Sequence, residues 1–146
     1  MKISAFLERS RQLLVTCRPD DSLATVAKVM YAHNIGAMPV CEPGALMVGI
    51  VSERDLVRAF AKTTWSELRY MRARDVMTER VVSCAMDETM QDAQDVMRIN
   101  HFRHLPVVDE GRVKGMLSIR DTLALRLRES EDEINILRDA VVAARH

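Results

Sequence analysis

The chain has 146 residues, with 21 basic and 21 acidic side chains and a formal net charge of +0. That balance disfavours a broad cationic surface for duplex nucleic acid or anionic lipid. The length fits one domain, or two small halves obliged to share a core.

No apolar run approaches the length of a membrane span. The opening MKISAFLERSRQLL is interrupted by charges and lacks the apolar centre of a secretion signal. Cys17, Cys41 and Cys84 are odd in number and form no CxxC. They read as reduced thiols, which places the chain in a cytoplasm. Aromatics are scarce at 4%, and 10 Met take over much of the apolar role.

In chain order, the pattern predicts a short helix over residues 3–7 and a short strand over 13–16. The polar turn RPDD follows, with Ser22 placed to cap a helix whose apolar stripe is Leu23, Val26, Ala27 and Met30. Next come a strand ending in Met38-Pro39-Val40-Cys41, the turn EPGAL, and a second strand over 47–51. That strand runs into GIVSERD, from Gly49 to Asp55, and a helix. A connecting segment, TTWSELRYMR, holds the only Trp. Trp65 and Tyr70 are expected to anchor it on the domain.

The order then repeats. Val15, Cys17, Asp20, Val29, Met30, Pro39 and Val40 recur 67 positions later as Val82, Cys84, Asp87, Val96, Met97, Pro106 and Val107. After a turn shorter by one residue, Gly49, Ser52, Arg54 and Asp55 recur 66 positions later as Gly115, Ser118, Arg120 and Asp121. The second half therefore predicts a helix over 73–78, a strand over 81–83, a helix capped by Thr89 with Met90, Ala93 and Met97 inward, and a hairpin turning at 109–112. A long helix over 121–145 closes the chain. On it Leu123, Leu127, Ile134, Leu137 and Val141 recur at threes, fours and sevens, a pattern that suits a partner helix.

The repeated phrases GIVSERD and GMLSIRD carry the functional signal. Each delivers a strand into a helix N-terminus, with Ser as the cap and Asp three residues on. A helix N-terminus offers backbone N–H groups and a positive dipole end, which suits a phosphate. A plain helix cap is the competing reading, and the duplication counts against it.

These phrases, the LPVVDEGRVKG hairpin, the VMT lead-in and the capped polar turns together resemble a tandem pair of CBS domains, or Bateman module, of the stand-alone bacterial type. The resemblance covers roughly residues 1–128. It implies an α+β fold of two βαββα repeats packed around a pseudo-twofold axis, with a C-terminal helical tail. It divides the chain into a first repeat (1–62), a linker (63–72), a second repeat (73–128) and a tail (129–146), forming one module. It also implies flat homodimers and adenine ligands in clefts between the repeats: AMP foremost, with ATP, ADP, NAD(H) or S-adenosyl compounds as alternatives.

Carried onto this sequence, the resemblance makes Asp55 and Asp121 acceptors for ribose hydroxyls. Ser52 and Ser118 reach ribose or phosphate, and Thr16 and Ser83 meet the base edge. Ile35 and Phe102, with Met38 and Leu105, are expected as walls of the base slot.

Before the second proline stand His101, Arg103 and His104; before the first stand Asn34, Ile35, Gly36 and Ala37. Arg103 can fork onto phosphate oxygens, and Arg54 and Arg120 are further candidates. The clefts are therefore expected to differ. One suits AMP. The other, roomier for lack of charge and bulk, suits a larger ligand such as NAD(H), weak binding or none.

His101 and His104 lie on a strand approach with no Cys or carboxylate cluster beside them, so no metal is expected. No nucleophile–base pair, P-loop or catalytic carboxylate pair is present, so the expected role is regulatory: sensing energy or redox state and signalling through the dimer or an effector protein in trans. The alternative is a structural or protein-interaction module without a nucleotide.

Overall fold

A computed structural model describes residues 1–145; His146, the last residue of the predicted tail, lies outside them. The chain is α+β. In order it forms α1 (Ile3–Ser10), α2 (Leu23–His33), β1 (Ala37–Glu42), β2 (Leu46–Ser52), α3 (Glu53–Lys62), α4 (Trp65–Leu68), α5 (Ala73–Val76), α6 (Met90–Asn100), β3 (His104–Asp109), β4 (Arg112–Ser118) and α7 (Ile119–Ala144).

Local chemistry sets these boundaries. Ser22 Oγ accepts from Thr25 N–H at 3.1 Å and starts α2. Thr89 and Asp92 form a reciprocal capping box that starts α6, with bonds of 3.0 and 3.1 Å. The bonds from Thr89 hold the Asp92 carboxyl below its usual range. Both helices end on a left-handed residue, Asn34 at φ 52° and His101 at φ 57°. Of the predicted α2 stripe, Leu23, Val26 and Met30 are buried, but Ala27 faces solvent and half-buried Val29 packs on the core instead.

The hairpins β1–β2 and β3–β4 are antiparallel, and each slips register once, after Val40 and after Val107. Their turn ends meet. Met47 N–H donates to Gly111 O at 3.0 Å, and Val113 N–H donates to Ala45 O at 2.9 Å. Each of these bonds maps onto the other through the 66-residue offset, so the pseudo-twofold axis passes between them. The sheet runs β1-β2-β4-β3.

The predicted strands over 13–16 and 81–83 do not form. Each is replaced by one parallel bridge, Cys17 to Val40 and Cys84 to Val107. The cause is proline. Cys17 donates to Pro39 O and accepts from Cys41 N–H. The next rung would need an N–H from residue 39 to reach Val15 O, and Pro39 has none. Pro106 ends the second ladder in the same way.

The lead-in helices also differ from expectation. α1 extends to Ser10, whereas α5 stops at Val76 because Thr78 exchanges two backbone bonds with Ile50, at 2.9 and 3.0 Å. Each lead-in helix enters the core of the other half. Ile3 is fully buried with Cys84, Met90, Ala93, Met97, Leu105, Val107 and Leu117. Ala73 is fully buried with Cys17, Val26, Met30, Met38, Val40 and Val51.

In the linker, Leu68 is the anchor, buried against Leu23 and Ala59. The expected anchors are not: Trp65 is 74% exposed and Tyr70 is 71% exposed. Leu68 and Met71 hold the inward face of this short turn. Trp65 leans toward Phe60, with ring centroids 6.5 Å apart, and Arg69 lies over the Tyr70 ring.

The glycine that opens each repeated phrase follows from the exchange. A Cβ on Gly49 would lie 2.6 Å from Met77 Sδ and 3.0 Å from Thr78 O; one on Gly115 would lie 2.8 Å from a Leu7 methyl. Gly49→Val should therefore destabilise the fold by about 1–3 kcal/mol through overpacking. Gly115→Ala should cost less, because only flexible side chain must yield. Urea unfolding of the two variants checks both the sign and the order.

Candidate functional site

The two repeated phrases fold alike. Ser52 N–H donates to Asp55 Oδ2 at 2.8 Å, and Ser52 Oγ donates to the same oxygen at 3.0 Å. Ser118 N–H donates to Asp121 Oδ2 at 2.8 Å, and Asp121 N–H donates to Ser118 Oγ at 3.2 Å. In both copies Oδ2 is committed to the helix cap. The second oxygen differs. Asp55 Oδ1 faces Arg58 Nη1 at 3.4 Å, while no protein donor reaches Asp121 Oδ1 among the described residues. Asp55 is buried and Asp121 is half-buried.

The N-termini of α3 and α7 are less open than the sequence implies. Glu53 N–H is taken by Gly36 O and Ile119 N–H by Arg103 O, both at 2.9 Å. These bonds fold the segments before β1 and β3 back onto the first helical turns. They bring Gly36 beside Glu53 and Arg103 beside Ile119.

His104 crosses between the halves at this point. A Cβ on Gly36 would lie 3.3 Å from His104 Cε1 and 3.5 Å from Glu53 Cδ. Bulk missing at Gly36 is thus supplied by His104 of the second repeat, and Ala37 is buried. The expected extra room at this point of the first half is absent for that reason.

Glu53, Asp121, Arg103 and Arg120 all act electrostatically on His104. These charged groups gather between the halves, at the end of the sheet away from the hairpin turns. Burial dominates and lowers the His104 pKa, against the opposing pull of Glu53 and Asp121.

The other predicted residues distribute as follows. Arg54, Arg103 and Arg120 are exposed, and Ile35 is half-buried. Phe102 is 40% exposed. Met38 and Leu105 are fully buried inside the two cores. Their side chains pack within these cores. Asn34 and His101 are exposed helix ends.

Thr16 lines a cavity of about 530 Å³ with Leu14, Cys17, Arg18, Asp21 and residues 41–45. This cavity lies at the turn end of the β1–β2 hairpin, whereas Ser52 and Asp55 stand at its other end. The corresponding Ser83 is exposed.

Two residues here were missed by sequence reasoning. Glu53 sits inside the first repeated phrase, but its counterpart is Ile119, so the repeat gave it no weight. Arg58 follows Asp55 by one helical turn, a spacing that marks it as an ion-pair partner. All three cysteines are buried and unpaired. Burial pushes the Cys17 and Cys84 thiols up to about 12, which favours packing over redox chemistry. No cluster of three or more His, Cys, Asp or Glu able to hold a metal occurs among the described residues. No helix among them is long and apolar enough to cross a membrane.

Comparison with known proteins fits this geometry. The CBS domain pattern matches residues 11–62 and 73–128. The chain belongs to the CBS domain family and carries two copies of the domain. A crystal structure of the CBS-domain containing protein ATU1752 from Agrobacterium tumefaciens superposes with a TM-score of 0.78 at 33% identity, covering 86% of this chain and 99% of that one. An uncharacterized 17.7 kDa protein from Acidianus ambivalens is 35% identical over 105 residues; the match takes in 71% of this chain and 62% of the relative's length. The fold is shared with CBSX2 in complex with AMP, at a TM-score of 0.75 and 23% identity, covering 88% of this chain and 98% of that one.

A testable consequence follows from His104. Its pKa is lowered in the folded state, so the unfolded chain takes up the proton first, near pH 6.5. The neutral imidazole therefore contributes stability above about pH 6.5, which is lost as pH falls toward the lower folded value. His104→Gln should flatten the decline of stability below about pH 6.5. Chemical unfolding of both proteins at stepped pH provides the comparison, and parallel curves would reject this role.

Proposed function

We propose that the chain is a regulatory adenine-nucleotide-binding module. The carrying observation is the repeated Ser–Asp cap. It holds a carboxylate at each helix N-terminus and leaves Oδ1 of Asp121 without a protein donor, in the position that accepts ribose hydroxyls in this family. Arg103, Arg120 and His104 on the same side of the sheet supply cationic and hydrogen-bonding partners for phosphate. The AMP complex of CBSX2 supports an adenine ligand.

The two sites are not equivalent in this reading. Asp55 faces Arg58, whereas Asp121 keeps its second oxygen free, so the Asp121 site takes the mononucleotide, AMP foremost. ATP, ADP and NAD(H) are the alternatives. Ser83, Ile35 and Phe102 are proposed as base contacts, while Thr16 faces the separate cavity at the hairpin turn.

The module has no catalytic role in this reading. It acts in the cytoplasm as a homodimer, and its output passes to an effector protein in trans. A hundredfold ligand excess over Kd adds about 2.7 kcal/mol to the liganded state, enough to bias such a partner. The apolar side chains Tyr31, Val57 and Phe60, exposed on α2 and α3, support a protein contact. They also fit the second reading, an interaction module without nucleotide.

A thermal-shift panel with AMP, ADP, ATP, NAD, NADH and S-adenosylmethionine separates the two readings. A shift of several degrees with one or two ligands is expected. No shift, from protein shown by extraction to be ligand-free, would favour the interaction module. Asp121→Asn sharpens the test, because the amide oxygen still accepts the cap bond while the amide nitrogen cannot accept from ribose. Calorimetry should show the best ligand weakened by ~1–3 kcal/mol with little change in stability. Wild-type affinity would reject the ribose assignment.

A further inference from the structure

The 26-residue helix α7 packs on the body only in its first turns; from Arg126 onward every described residue of it is exposed. Thr122 is buried, and Leu125 rests on the second core. One face of the helix is apolar and uncovered: Leu123, Leu127, Ile134, Leu137 and Val141 are all about half exposed or more, up to 65% at Leu137. In a heptad frame, Leu127, Ile134 and Val141 take position a, and Leu123, Ser130, Leu137 and Ala144 take position d. The stripe, interrupted only at Ser130, runs from the anchored start of the helix to its last turn, roughly 33 Å at about 1.5 Å per residue. Ile136 and Val142, also exposed, lie at c and b, off this seam.

We propose that this seam closes on the same seam of a second copy of the chain, as a parallel, in-register two-stranded coiled coil. Charge selects the orientation. Arg126 and Glu133 occupy g positions; Glu131 and Arg138 occupy e positions. In a parallel pair each g residue faces the partner's e residue five places on. Arg126 then meets the partner's Glu131, and Glu133 meets the partner's Arg138. In an antiparallel pair e faces e and g faces g, and no single register matches both Glu131 with Arg138 and Arg126 with Glu133. β-branched Ile134 and Val141 at a, with Leu123 and Leu137 at d, favour the two-stranded parallel form. This inference stands apart from nucleotide binding and needs no ligand.

The test is disulfide trapping in the full-length chain without nucleotide. Ala144→Cys places a thiol at a d position, where a parallel pair brings the two copies together; Leu137→Cys, one heptad earlier, repeats the test away from the helix end. The native cysteines are buried, so the unsubstituted chain serves as the blank. Mild oxidation should give a covalent dimer. Adding Arg138→Glu should cut its yield about tenfold at limiting protein, since paired charges become opposed. Adding Glu133→Arg to that variant should restore it. Glu133 and Arg138 are five residues apart and cannot pair within one helix, so rescue reports a contact between copies. Absence of the dimer in both cysteine variants, a yield indifferent to Arg138→Glu, or failure of the rescue would each overturn the proposal. None of these results would bear on the ligand reading.

Discussion

The structure depends on an exchange of lead-in segments across two glycines. Leu7 lies over Gly115, and Met77 with Thr78 lies over Gly49. Main-chain bonds fix both crossings in matched form. Ile3 N–H and Ser4 N–H donate to Glu88 O and Met86 O, while Ala73 N–H and Arg74 N–H donate to Asp21 O and Pro19 O. Neither half of about 65 residues has enough core to stand well alone, and here each core is completed by a residue from the other side of the chain. With the hairpin turns also bonded to each other, the halves are clamped at two places. That clamp fixes where the N-termini of α3 and α7 stand relative to one another.

At those N-termini a folding device and the proposed binding device share one side chain. A capping carboxylate contributes about 1 kcal/mol to a helix start and is held in a single rotamer before any ligand arrives. One oxygen is occupied by the cap, so the other has a defined direction. A site assembled this way loses little conformational entropy on binding. It also couples ligand contact to the helix that follows. For Asp121 that helix is α7, which continues well past the body of the protein, so the proposed ribose contact and the exposed tail lie on one continuous rod.

Much of this was legible because it is local. Ser22, Thr89, Ser52 and Ser118 announce their helices within four residues, and the hairpin turns do the same. The duplication made the order of elements secure. What escaped the sequence is non-local. Pro39 and Pro106 read as strand residues, yet their missing N–H groups stop the neighbouring ladder at one bridge. Met38 and Leu105 are apolar and adjacent to the site, but periodicity does not say which apolar residues a core will consume. Trp65 looked like an anchor by size, whereas Leu68, three residues on, has the inward position. The approach of His104 to Gly36 joins residues 68 positions apart in sequence, and no local pattern announces it.

That contact falls where the two halves differ most. Side chains near a pseudo-twofold axis compete with their own counterparts for the same space. Were Gly36 and Ala37 as large as Arg103 and His104, both sets would press into one crevice and one would have to be expelled. The chain resolves this by keeping the bulk on the second repeat alone. The choice spreads to the next residue pair. Glu53, whose charge acts on His104, has as its counterpart Ile119, which packs on the second core instead. The differing surroundings of Asp55 and Asp121 are a second departure from symmetry at the same end of the sheet.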